Sequence, residues 1–84
     1  MPHTPHELGA EFPDDHAVMH ALKVSSPHFA HLADTYHDVN RHIHRIESLI
    51  EPASDETLTE LKRQRLALKD EIAALIAADK RAVA

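Results

Sequence analysis

Histidine is the residue whose number and spacing could do chemistry in this chain: there are nine in 84 residues. His16 and His20 lie four apart and His28 and His31 three apart, spacings that put both rings of a pair on one helix face, where they could share a divalent metal. A closed site needs three or four ligands and a supporting shell, and the sequence places no further residue to complete one. These four histidines are therefore the only metal candidates, and neither a metal nor a cofactor is expected. The second chemistry is the proton. Imidazole titrates near pH 6.5, and full protonation would reverse the sign of a chain whose formal charge is −5. Self-association is then expected to change between about pH 5.5 and 7.5. The plainer reading is that the histidines are solvated residues on helix faces, since they are dispersed and form no run.

Nothing else in the chain assembles into a reaction centre. The carboxylates are numerous but unpaired in pattern, Ser25, Ser26 and Ser54 read as helix caps, and a single glycine rules out a glycine-rich phosphate loop. On a slender helical molecule, His, Asp and Ser side chains are not desolvated or held in reaction geometry, so no enzymatic activity is expected. Arg65 stands apart because it interrupts an apolar stripe. It either lays its stem on the stripe with its head in water, or bonds Asn40 or a carboxylate of another chain and sets register; an anion-binding role is the third reading.

The elements that must position these residues are two long helices. Phe29, Leu32, Tyr36, Val39, Ile43, Ile46 and Ile50 are spaced alternately three and four apart, an apolar seam along one helix. Leu58, Leu61, Arg65, Leu68, Ile72 and Leu75 repeat the pattern. Ser26 with Pro27 marks the start of the first helix, Pro52 ends it, and Ser54 caps the second. A connection this short makes the helices antiparallel. Pairing the seams sets Phe29 against Leu75, Tyr36 against Leu68 and Val39 against Arg65, with Glu47 facing Lys62. The expected fold is all-α: an antiparallel, coiled-coil-like two-helix hairpin over residues 26–84, with helices at about 27–51 and 55–80. It is preceded by an arm, residues 1–25, carrying a short helix at about 14–23 that Asp14 or Asp15 caps and whose apolar face is Val18, Ala21 and Leu22. Met1 to Pro13, with three prolines and the only glycine, read as a mobile arm, and Arg81 to Ala84 as a fraying end.

Two helices have only each other to bury against, and a lone hairpin is marginal because ordering each residue costs about 1.5 kcal/mol. The second helix carries further apolar surface, including Leu66, Ala73 and Ile76, that needs a cover from the arm or from another copy. Self-association to a dimer or tetramer is favoured, with Arg65, Leu66, Ala73 and Ile76 as interaction residues and an unidentified protein as a further partner. Nucleic acid is not expected, given 4% aromatic residues and the acidic balance. No membrane span or secretory signal is read, cysteine is absent, and a cytoplasmic protein is the default.

The run Pro52-Ala53-Ser54-Asp55-Glu56 followed by Leu61-Lys62-Arg63-Gln64-Arg65-Leu66-Ala67-Leu68-Lys69-Asp70-Glu71-Ile72 resembles the YdcH-like family of small bacterial proteins of unassigned function. His28-Phe29-Ala30, Leu32 and Tyr36 share that likeness, which covers roughly Leu22 to Ile76. The resemblance implies a helical hairpin in a bacterial cytoplasm and brings no catalytic residues with it. Thr57 departs from the pattern, since a Glu there would complete a reciprocal capping box with Ser54. The expected function is a non-enzymatic interaction module, with a histidine-based metal- or pH-responsive sensor as the alternative.

Overall fold

The computed structural model describes residues 5–83. Among them are four helices and no strand: α1 (Leu8–Glu11), α2 (His16–Ser25), α3 (Pro27–Glu47) and α4 (Asp55–Val83). The two long helices, α3 and α4, pack against each other as the hairpin the seams require. Tyr36, Ile43 and Ile72 are fully buried, and Phe29, Leu32, Ile46 and Ile76 nearly so. Val39 and Leu68 are half-buried.

The boundaries follow from local chemistry. Ser26 is extended and its hydroxyl accepts from the Phe29 amide at 3.1 Å, with Pro27 at the first helical position, where no N–H is missed. Ser54 caps α4 through the Thr57 amide, also at 3.1 Å. Its hydroxyl donates in turn to Thr57 Oγ1 at 3.0 Å, so Thr57 occupies the place that a glutamate holds in a reciprocal box.

α3 ends four residues earlier than its seam predicts. The Leu49 amide donates to Ile46 O and the Ile50 amide to Arg45 O, the paired bonds of a Schellman turn, with Leu49 in the left-handed position at φ 62°. That position normally holds glycine, and a leucine there carries a backbone cost of roughly 1–2 kcal/mol. The apolar Leu49 and Ile50 prolong the seam in sequence, but Pro52 bars its residue predecessor from the helix and the chain must reverse. Leu49→Gly should raise stability by about 0.5 kcal/mol, because the relieved strain exceeds the entropy that glycine adds to the unfolded chain. Chemical denaturation at a dilution where association is negligible measures it, and a destabilised variant would show that Leu49 is not strained.

The N-terminal segment departs most from expectation. Residues 5–15 are not a mobile arm but a strap laid across the hairpin, with Leu8 buried at 5% exposure among Phe29, Leu32, Ala33, Tyr36, Ile72 and Ile76. Met1 to Thr4, included in the expected arm, lie outside the described residues, as does Ala84 at the expected fraying end. α2 turns Val18, Met19 and Leu22 onto the same core, while Ala21 is exposed; Met19 takes the place expected of Ala21. Asp15 precedes α2 without capping it through its side chain. Its carboxylate is instead turned inward against the Lys80 ammonium, tying the start of α2 to the far end of α4. The molecule measures 45 × 28 × 19 Å: α4 sets the long dimension and the strap with α2 widens one end beyond a bare hairpin.

Candidate functional site

Where the strap crosses the hairpin, polar groups from three elements converge. Tyr36 and Asn40, one turn apart on α3, both point at the strap backbone. The Tyr36 hydroxyl donates to His6 O at 2.5 Å and Asn40 Nδ2 to Pro5 O at 2.9 Å. Asn40 Oδ1 accepts from Arg65 of α4 at 3.0 Å. Asn40 is 2% exposed, and two groups meet its amide, Pro5 O taking a hydrogen from its nitrogen and Arg65 donating to its oxygen. Of the readings open for Arg65, the structure places its guanidinium on Asn40 of its own chain, beside the Val39 that the seam pairing sets opposite it.

Further polar contacts brace the strap along its length. Glu11 accepts from Lys69 Nζ at 3.2 Å and from His6 Nδ1 at 3.0 Å, and Glu7 lies 3.3 Å from His37 Nδ1. His16 Nε2 donates to Gly9 O at 2.7 Å. The hydrogen bond from His6 is the main reason the Glu11 carboxyl sits below its ordinary range, with Lys69 adding to it and partial burial opposing. Burial pushes the Tyr36 phenol above its ordinary range, and the Glu11 charge acts in the same direction. At the other end of the molecule, Glu51 accepts from His42 at 2.5 Å and from Arg45 at 3.3 Å, which holds its carboxyl low and closes the turn after α3.

These shifts give the strap a pH window. A depressed carboxyl such as Glu11 contributes stability above its unfolded value and loses it as pH falls through the folded one. A raised phenol such as Tyr36 contributes below the ordinary phenol value of about 10 and loses it as pH rises beyond. The strap should therefore loosen in acid and again in alkali. Tyr36 is the single tyrosine and tryptophan is absent, so near-ultraviolet absorbance reads its ionisation alone. A titration midpoint at the free-phenol value would show that the hydroxyl is not held by the strap.

The residues singled out by sequence are dispersed. His16, His20, His28 and His31 are all exposed; His16 is engaged with Gly9, and His20 borders a groove of about 240 Å³ together with His37. Among the described residues no three His, Cys, Asp or Glu converge as a metal site. Of the four expected interaction residues, Leu66 is 59% exposed, Arg65 and Ala73 are half-buried, and Ile76 is not on the surface at all. Ile76 is 3% exposed and belongs to the core beneath the strap, which supplies the cover that the sequence left open between arm and second copy. Leu66, Arg65 and Lys69 line a second hollow of about 200 Å³ beside Tyr36 and Glu11. Glu47 and Lys62 pair across the hairpin at 3.0 Å, as their positions predict.

Sequence reasoning missed Asn40, Tyr36 and the strap carbonyls as a unit. Two of the partners are backbone oxygens, which carry no side-chain signature; the only available signal was a polar residue one position off the seam.

No helix among the described residues is long and apolar enough to cross a membrane. No curated protein matches the chain, and no solved structure does. A family model does match, over residues 29–76, described as "Protein of unknown function (DUF465)". That span runs from the first core aromatic of α3, through the turn, to the last core isoleucine of α4, and so contains the seam of the hairpin but not the strap. The chain thus belongs to the DUF465 family, which contains the YdcH-like small bacterial proteins of unknown function that its hairpin sequence resembles.

Proposed function

We propose that this protein is a non-enzymatic interaction module of the bacterial cytoplasm: a strapped helical hairpin that self-associates and offers the outer face of α4 to a protein partner. The observation that carries this reading is the apolar surface left after the strap has closed. Leu66 is 59% exposed, and Ala67 beside it and Ala74, Ala77 and Ala78 further along α4 are exposed as well. A helix whose outer face is this rich in small apolar residues permits close approach of another helix. No side-chain group supports catalysis better than this face supports contact, since His16, His20, His28 and His31 are exposed and His6, His37 and His42 are engaged with carboxylates.

Sedimentation of the full chain over a wide concentration range tests the reading. Reversible association is expected, and one monomeric species throughout would overturn it. The pH-responsive alternative draws on the His6–Glu11 contact within the strap and on the His37–Glu7 contact that joins α3 to it. A sedimentation profile that does not change between about pH 5.5 and 7.5 removes that alternative.

A further inference from the structure

Leu49 and Ile50, at the hairpin tip, are 91% and 72% exposed, and Leu66 is 59% exposed. Among the described residues, three of the four large apolar side chains left in solvent therefore lie in the tip and the adjoining turns of α4; Val24 is the other. Leu66 stands about 16 Å along α4 from its first residue, at a rise of 1.5 Å per residue. The tip is also rigid: two amides bond Arg45 O, and the Glu51 carboxylate is clamped by His42 and Arg45. Leu49 is held there in a left-handed conformation that a leucine adopts only at a cost. Strain kept at an exposed apolar residue points to a contact made by that residue.

The charges around these side chains are sorted into two adjacent blocks. From Glu47 to Leu61 there are five carboxylates, Glu47, Glu51, Asp55, Glu56 and Glu60, and no Lys or Arg. From Lys62 to Lys69 there are four cations, Lys62, Arg63, Arg65 and Lys69, and no carboxylate. Asp55 and Glu56 are exposed and make no ion pair among the described residues. The pairs that do cross between blocks, Lys62 with Glu47 and Arg63 with Glu60, are solvent-exposed and contribute little to the folded monomer.

We infer that this end of the molecule is a self-complementary surface whose partner is a second copy of the chain. The two copies lie with their α4 helices antiparallel about a two-fold axis near Leu61 and Lys62. A negative block followed along a helix by a positive one matches itself only in that orientation: each acidic tip meets the other copy's basic segment, and the match is made twice. The same placement brings Leu49 and Ile50 of each tip toward the Leu66 stretch of the other, removing both apolar patches from water. Tip-to-tip contact would set the exposed Asp55 and Glu56 of one copy against the same pair of the other and is repelled. Because the contact is reciprocal it closes at two copies and leaves no free patch to extend a filament. The inference rests on the self-association proposed above and specifies its surface.

Charge exchange tests it on the full chain by sedimentation equilibrium. One variant carries Asp55→Lys and Glu56→Lys, making both blocks basic; the other carries Lys62→Glu and Arg63→Glu, making both acidic. Each alone should dissociate at least about tenfold more readily than the parent, and an equimolar mixture should regain a dimer. Leu49→Ser with Ile50→Ser should weaken the parent dimer by at least about tenfold without loss of helical circular dichroism, since neither side chain is in the core. A dimer unchanged in all three variants, or a mixture of well-folded charge variants that stays monomeric, overturns this surface while self-association stands. A parent chain that is monomeric at every concentration overturns both.

Discussion

Replacing Phe29 by alanine should cost about 3–5 kcal/mol, the loss expected for removing a fully buried aromatic ring from a core that cannot collapse to fill the space. Phe29 is 1% exposed and sits where α3 meets both Leu8 of the strap and the α2 residues packed beside it. The site cannot close easily, because the neighbouring positions are held from three directions by separate elements. For a chain of this length, total stability is on the order of 4–13 kcal/mol, so the loss is about a quarter of the whole or more. Each kcal/mol shifts the melting temperature of so small a domain by roughly 4–8 °C, and the expected fall is therefore tens of degrees. Thermal unfolding followed by circular dichroism measures it. A loss below about 1 kcal/mol would mean that the strap does not close over this end of the hairpin in solution.

Asn40→Ala should have the second largest effect, about 2–3 kcal/mol, although the side chain is small. Its amide bonds Pro5 O and its carbonyl oxygen takes a hydrogen bond from the Arg65 guanidinium. Truncation orphans a carbonyl and a charged donor at once, and groups left without partners in a part-buried setting cost more than the bonds themselves contribute. The strap loses its Pro5 anchor as well, while Tyr36, one turn earlier, still holds the next carbonyl. Arg65→Met alone removes only one of these partners. A double-mutant cycle between positions 40 and 65 should therefore show a coupling of about 0.5–3 kcal/mol, measured by chemical denaturation. Strict additivity would mean that the Asn40–Arg65 bond is not formed.

The two predictions separate what a heptad pattern reports from what it does not. Phe29 is on the seam, and its burial is legible in the spacing alone. Asn40 lies one residue off the seam, where the sequence offers it as one partner for Arg65 but gives no sign of the strap that passes over it. Ile76 shows the same division. In the sequence it belongs to a second apolar stripe that needs a cover; in the structure Leu8, sixty-eight positions earlier, stands in the same core cluster. The end of α3 departs from its seam for a related reason. Leu49 and Ile50 continue the apolar rhythm, and no glycine announces the left-handed residue that stops the helix.

The amino-acid order by itself determined the all-α hairpin, its two caps at Ser26 and Ser54, the reversal before Ser54 and the Glu47–Lys62 pairing, because periodicity, hydroxyl capping and proline geometry act over a few residues and leave a mark in the residue types. Only the tertiary structure decided that the N-terminal segment is a strap, that Ile76 is core while Leu66 stays free, and that Arg65 is tied to Asn40. Those outcomes rest on backbone carbonyls and on one leucine meeting a groove built from distant residues. Carbonyls are the same at every position, so nothing in the residue types distinguishes the two that Tyr36 and Asn40 hold.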